Sequence, residues 1–172
     1  MKLTFYGGTG SVTGANFLLE HSDEKGESVK IVIDCGLMQG VEPSNRFNRG
    51  DFPYKPEEID YLLVTHSHID HIGRIPKLVK DGFKGRIIST PPTKDIAELL
   101  LEDALLIMQH DSNRDGVLPM YEKEDLKKTM SLWTTVGYHN TVDIGAGLSI
   151  YFKDSGHILG SAMIEITNNS LT

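Results

Sequence analysis

The sequence predicts an α/β (α+β) domain with helices packed outside β-sheets, because short β-branched runs crowd both ends of the chain and two helix-period stretches lie between them. Glycine- and proline-rich breaks punctuate the runs, and no internal repeat or low-complexity tract appears. Residues 1–20 read as strand, glycine-rich turn, strand, since Leu3 and Phe5, then Phe17, Leu18 and Leu19, flank Gly7, Gly8, Gly10 and Gly14. Residues 21–28 form a polar hairpin loop, and 30–34 (KIVID) a buried strand ended by Cys35-Gly36. Residues 40–56, rich in Asn, Arg, Gly and Pro without periodicity, predict a long surface loop. Residues 59–65 (IDYLLVT) form another buried strand, which delivers residues 66–71 at its carboxyl end. A helix over about 72–80, closed by Gly82, follows, then a strand over 86–89. Helical spacing is plain over 91–110, where Thr90 can cap, proline sits in the first turn, and Ile96, Leu99, Leu100 and Ala104 recur. A second helix covers about 122–134, and residues 111–119 (DSNRDGVLP) predict a mobile flap between the two. β-structure returns over 148–152 and 162–167, around a turn at 153–160.

The length of 172 residues suits one domain with one core. Charged residues are 24% and mean hydropathy is -0.22, which excludes disordered and membrane classes. No stretch approaches the roughly 18 apolar residues of a spanning helix, and the start MKLTFYGGTG has no basic segment followed by an apolar run, so no membrane association is expected. The single cysteine, Cys35, cannot form an internal disulfide, which fits a reducing, cytoplasmic location. A net charge of -7 argues against a basic surface that coats nucleic acid, yet leaves room for a site with its own positive charge, such as a metal.

The chemistry concentrates in His66-Ser67-His68-Ile69-Asp70-His71. With 7 histidines in 172 residues, three at fixed spacing arise by chance in roughly one such chain in a hundred. His66 and His68, two apart at a strand end, are expected on one face and can share an ion. Asp70 and His71 follow as the chain turns toward a helix, so they face a second position a few ångström away, as a two-metal site requires. His157, between glycines in residues 154–160, is the candidate third ligand of the first ion, leaving an open position for water as catalytic zinc has. Asp34, at the end of KIVID, is expected behind the ligands as a carboxylate that holds a metal-bound histidine in one tautomer.

The order Asp34, His66-x-His68-x-Asp70-His71, His157 resembles the metallo-β-lactamase superfamily across essentially the whole chain. The resemblance implies an αββα sandwich with a dinuclear zinc site at one edge. Phe5-Tyr6-Gly7-Gly8 with the glycines at 10 and 14, His71 to Pro76, the helix start Pro92-Thr93-Lys94-Asp95 and SGHILGS at 155–161 resemble the β-CASP branch more narrowly. Members of that branch are nucleases acting on RNA, some on DNA, including the enzymes that cleave messenger-RNA 3′ ends. Such members carry a bridging aspartate after the strand that follows the His157 motif, then a β-CASP domain, then a last histidine ligand, and residues 1–172 hold none of these. The chain is therefore expected to be the amino-terminal portion of such a domain, with one zinc well held and the second, on Asp70 and His71, weakly held.

The resulting expectation is a zinc-dependent phosphodiesterase domain in which Asp70 orients the attacking hydroxide and RNA is the substrate. A homodimer or the missing carboxyl-terminal half is the expected partner, because half of a sandwich leaves apolar faces and the strand at 162–167 uncovered. Two alternatives remain: a hydrolase of a thioester or other small molecule on the same metal edge, or a truncated, non-catalytic interaction domain. Weaker signals carry bland readings. The glycines at 7, 8, 10 and 14 miss both phosphate-loop and dinucleotide fingerprints and read as a turn. Cys35 reads as inert, His21, His110 and His139 as solvent-facing, and residues 99–108 with Trp133 as helix core.

Overall fold

A computed structural model describes residues 1–40 and 44–168. Its elements in chain order are β1 (Lys2–Gly7), β2 (Asn16–Ser22), β3 (Ser28–Ile33), α1 (Ser44–Arg49), a short 3-10 turn (Pro56–Glu58), β4 (Tyr61–Leu63), α2 (Ile69–Ile72), α3 (Ile75–Lys80), β5 (Arg86–Ser89), α4 (Pro91–Asp115), α5 (Lys123–Leu132), β6 (Trp133–Thr135), β7 (Thr141–Gly145), β8 (Leu148–Asp154) and β9 (Ala162–Asn168). Strands β1 to β6 form one sheet in sequence order, and β7 to β9 form a second. The first three strands pair antiparallel, whereas β3 to β6 run parallel.

Why the central strands read as unbroken apolar runs is visible in their alternation, since both faces of the large sheet are buried. Leu18, Val32, Leu62 and Ile87 face the helices, packed with Ile72, Leu78, Leu101 and Leu105. Their neighbours Leu19, Ile31, Leu63 and Ile88 face the small sheet, against Ile144, Leu148, Ile150 and Phe152. Three layers result, helices on sheet on sheet, and the expected mixed α/β architecture is present. The inner face of the large sheet is covered by β7 to β9, contrary to the uncovered face expected from the sequence. Among the described residues β9 is a sheet edge.

Several elements differ from the sequence expectation. The helix placed over 72–80 is two short helices, because Pro76 has no N–H to give and the Arg74 N–H goes to Cys35 O at 2.9 Å instead of along the helix. The proposed flap at 111–119 begins inside α4, which continues to Asp115 and stops at Gly116 (φ 72°), whose N–H returns to Ser112 O. An i, i+3 ion pair, Arg114 to Asp111 at 3.2 Å, accompanies that last turn. Trp133 is not helix core: α5 ends at Leu132, and the indole opens β6 with its N–H donating to Ser89 Oγ at 2.9 Å. Residues 99–108 are only partly core. Leu101 and Leu105 are buried, but Leu99, Leu106 and Ile107 are exposed at 69%, 64% and 54%. The loop at 40–56 contains α1, and β7 was not legible in the sequence. His21 is buried rather than solvent-facing, with Nε2 at 3.1 Å from Ala146 O in the turn between β7 and β8. His110 and His139 are exposed as expected.

Candidate metal centre

The candidate site is built from three loops at one end of the sheets. The strand β4 stops at Leu63, so His66 to His68 lie in an irregular loop instead of at a strand end, and His68 caps α2. Strand alternation therefore does not bring His66 and His68 together. The loop does so by a different route, with His66 Nε2 3.1 Å from His68 Nδ1. Residues 34–37 grip this loop from one side: Cys35 N–H donates to His71 O at 2.7 Å, and Leu37 N–H to Ile69 O at 3.1 Å. Gly36 permits the approach, because a Cβ there would lie 1.5 Å from Asp70 O.

The third loop joins β8 to β9 and carries His157. Ser161 Oγ accepts the N–H groups of both His157 and Ile158 at 3.1 Å and is itself buried. Gly160 O accepts hydrogen bonds from Thr90 Oγ1 at 2.6 Å and Thr93 Oγ1 at 2.8 Å, which seats the loop on the first turn of α4. Gly160 has φ 87°, and a Cβ there would meet Thr93 N at 2.6 Å. Ala162 N–H donates to Thr65 O at 2.8 Å and ties this loop to the one carrying His66.

Held in this way, His157 Nε2 comes to 3.2 Å from His68 Nδ1. Ligand atoms of His66, His68 and His157 all lie within 4.8 Å of one another and could hold a metal ion. Nitrogens around one tetrahedral zinc, at bonds of about 2.0–2.1 Å, stand roughly 3.3 Å apart. The spacing here is of that size, and lone pairs so close repel unless a cation or a shared proton lies between them. The donor set of three imidazoles suits zinc or a neighbouring transition metal. Burial first, then the neighbouring His71, pushes the His66 pKa down to about 4, so this ring is neutral at pH 7 and keeps a lone pair for a ligand bond.

Asp70 and His71 stand apart from this trio yet beside it. The His71 ring lies 4.0 Å from that of His66, centroid to centroid, and its Nε2 is 3.7 Å from Asp70 Oδ2. Asp34 is 1% exposed and adopts φ 56°, a left-handed conformation that Asp tolerates better than most residues. Its Oδ2 accepts from His71 Nδ1 at 2.8 Å and from Thr65 Oγ1 at 2.7 Å, and its Oδ1 accepts the Thr65 N–H at 2.8 Å. For His71, burial works to lower the pKa, but the hydrogen bond and charge of Asp34, with Asp70 behind them, outweigh it and raise the pKa. The structure thus gathers all six residues singled out in the sequence at one end of the sandwich. Sequence reasoning missed Thr65 and Ser161, whose hydroxyls organise the two ligand loops. The only available signal was a hydroxyl residue at each loop boundary, next to a histidine motif.

Cys35 is buried, and burial pushes its thiol up to about 12, as an inert thiol requires. No helix among the described residues is long and apolar enough to cross a membrane.

Comparison with known proteins agrees with the geometry. The chain is 33% identical over 164 residues to Ribonuclease TTHA0252 of Thermus thermophilus, covering 95% of this chain and 34% of that protein. It is 34% identical to Transcription termination factor FttA of Methanococcus maripaludis, covering 95% of this chain and 24% of the relative. It therefore spans about a third of the length of the first relative and about a quarter of the second. Among solved structures, a HARLDQ-motif mutant of a metallo-beta-lactamase from Cronobacter sakazakii superposes with a TM-score of 0.53 at 19% identity, over 92% of this chain and 54% of that one. A model described as a metallo-beta-lactamase superfamily domain matches residues 25–172, and the chain belongs to the metallo-beta-lactamase superfamily.

Proposed function

We propose that this chain is the metal-binding portion of a zinc-dependent phosphodiesterase of the β-CASP kind, acting on RNA. The convergence of His66 Nε2, His68 Nδ1 and His157 Nε2 carries the reading. The names of two relatives, a ribonuclease and a transcription termination factor, point the substrate toward RNA. In this reading His66, His68 and His157 hold one zinc ion, and Asp70 and His71 contribute to a second position with Asp34 behind them. Zinc bound there would polarise a phosphoryl oxygen and supply a nucleophile at neutral pH. The protein's own part is positional. Asp70, partly exposed beside the trio, accepts a hydrogen bond from the attacking water and turns it toward phosphorus. The ring of His66, neutral at pH 7, keeps its ligand lone pair free of a proton. The single cysteine, buried and unpaired, belongs with a cytoplasmic setting in this proposal.

Because the relatives are three to four times as long, the proposal places the remaining ligands of the second ion outside these residues. They come from further chain or from a partner polypeptide, a homodimer included. Removing one charge-stabilising group commonly costs about a hundredfold or more in rate, so RNA cleavage by these 172 residues alone should be close to background. The experiment has two readings. Zinc analysis of the purified chain should give about one ion, lost in His68→Ala and retained in Asp70→Ala and His71→Ala. Labelled single-stranded RNA should be cut when a carboxyl-terminal fragment of a full-length relative is added, and not when His66→Ala replaces the wild type. Zinc lost equally in His68→Ala, Asp70→Ala and His71→Ala would contradict the two-position geometry. Cleavage of thioesters with RNA untouched would reassign the substrate.

A further inference from the structure

The Thr65 hydroxyl stands where three polar groups meet, 2.7 Å from Asp34 Oδ2, 2.9 Å from His66 Nδ1 and 3.5 Å from His71 Nδ1. We infer that Thr65 is a positioning residue that relays the charge of Asp34 to His66, fixing that imidazole in the Nδ1–H form with its Nε2 lone pair turned toward His68 and His157. The inference rests on the metal-binding reading given above and names what holds that site in order.

Counting protons gives the direction of the relay. A hydroxyl has one hydrogen, and a carboxylate only accepts. Two oxygens 2.7 Å apart need a hydrogen between them, so Thr65 Oγ1 donates to Asp34 Oδ2. The hydroxyl then has only lone pairs left for His66 Nδ1, and that nitrogen must be the donor. Histidine Nδ1 therefore carries the proton, and Nε2, 3.1 Å from His68 Nδ1, carries the lone pair. The same carboxylate oxygen accepts from His71 Nδ1 at 2.8 Å, which leaves His71 Nε2 free on the side of Asp70. One buried carboxylate thus sets the tautomer of two candidate ligands, directly for His71 and through one hydroxyl for His66.

The threonine cannot easily turn away from this duty. Its N–H is held by Asp34 Oδ1 at 2.8 Å, and its carbonyl by the N–H of Ala162 at 2.8 Å. The backbone is clamped from both sheets, and its branched side chain has few rotamers. A purely steric role would need only the shape of the side chain, which valine reproduces. The relay needs the hydroxyl, which serine reproduces.

The test uses the tautomer itself and the affinity for zinc alone. Long-range 1H–15N correlation spectra of the metal-free protein should show His66 protonated on Nδ1. In Thr65→Val the two tautomers of His66 should become mixed, and zinc affinity, measured against a competing chelator, should fall by about 10–100-fold, the usual loss when a group behind a ligand is removed. Thr65→Ser should keep the Nδ1–H form and bind zinc within about threefold of the wild type. Wild-type His66 protonated on Nε2, a Val variant that binds as well as the wild type, or a Ser variant as weak as Val would each overturn the relay. Should the Val variant fail to fold, the wild-type tautomer and the Ser variant still decide. A wild type that shows the Nδ1–H form but takes up no zinc would support the relay while refuting the metal-binding reading.

Discussion

Asp34 and Cys35 are adjacent in sequence and opposite in chemistry, and each has a measurable consequence. Asp34 anchors two imidazoles, one directly and one through Thr65. Asp34→Ala should therefore weaken zinc binding more than Thr65→Val does, by about a hundredfold in chelator competition, the upper end of such losses. Cys35 is buried with its pKa raised to about 12, so iodoacetamide at pH 8 should leave the native thiol unmodified and label it only on unfolding. The linkage has a definite sign. A pKa higher in the folded than in the unfolded state gives stability that is complete below the unfolded value, near 9, and is lost as pH rises toward 12. Chemical unfolding from pH 9 to 12 should therefore show wild type losing up to about 1.4 kcal/mol per pH unit relative to Cys35→Ala. At this scale the sequence was most legible where side-chain identity is the chemistry. His66, His68, His71, Asp70, Asp34 and His157 could be picked out by type and spacing. Thr65 could not, since a threonine after a buried strand reads as one more β-branched residue. Nor could His21, whose burial depends on Ala146, 125 residues away.

Elements were legible where the pattern is local and lost where a distant contact rewrites it. The strands β2, β3, β4 and β5 showed as apolar runs because both of their faces are buried. The short helix α1 and the strand β7 did not, being brief segments with mixed polarity. The break between α2 and α3 arises from Pro76 and from the capture of the Arg74 N–H by Cys35 O, and only the first of these is written locally. Gly36 is the point at which two elements depend on one atom. A methyl group there would sit 1.5 Å from Asp70 O and 2.6 Å from His71 N, so the 34–37 segment and α2 must separate. Gly36→Ala should lower unfolding stability by about 3 kcal/mol or more, at the upper end of overpacking costs. It should also disturb the His71 ring signals, whereas Gly26→Ala, with nothing within 4 Å of its added Cβ, should leave those ring signals unchanged. Denaturant melts and histidine spectra of the two variants would check this contrast.

Across the whole molecule, the candidate ligands come from both sheets. His66 and His68 follow β4 of the large sheet, and His157 precedes β9 of the small one. The two sheets already meet through the apolar layer of Ile31, Leu63, Ile88, Ile150 and Phe152. At the candidate site Ala162 N–H reaches Thr65 O, and at the turn between β7 and β8 His21 reaches Ala146 O. An ion gripped by all three histidines would add a further cross-sheet link, absent from the unfolded chain, so binding and stability must be coupled. Zinc at about a hundred times its dissociation constant should stabilise the fold by about 2.7 kcal/mol. For a domain of this length that corresponds to a rise in Tm of about 5–10 °C. The rise should disappear in His157→Ala, which removes the ligand from the small sheet. It should persist, somewhat reduced, in His71→Ala, which leaves the trio whole. Melting curves recorded with and without zinc would measure both. A rise of equal size in His157→Ala would mean that the ion is held by the large sheet alone and adds no link between the two sheets.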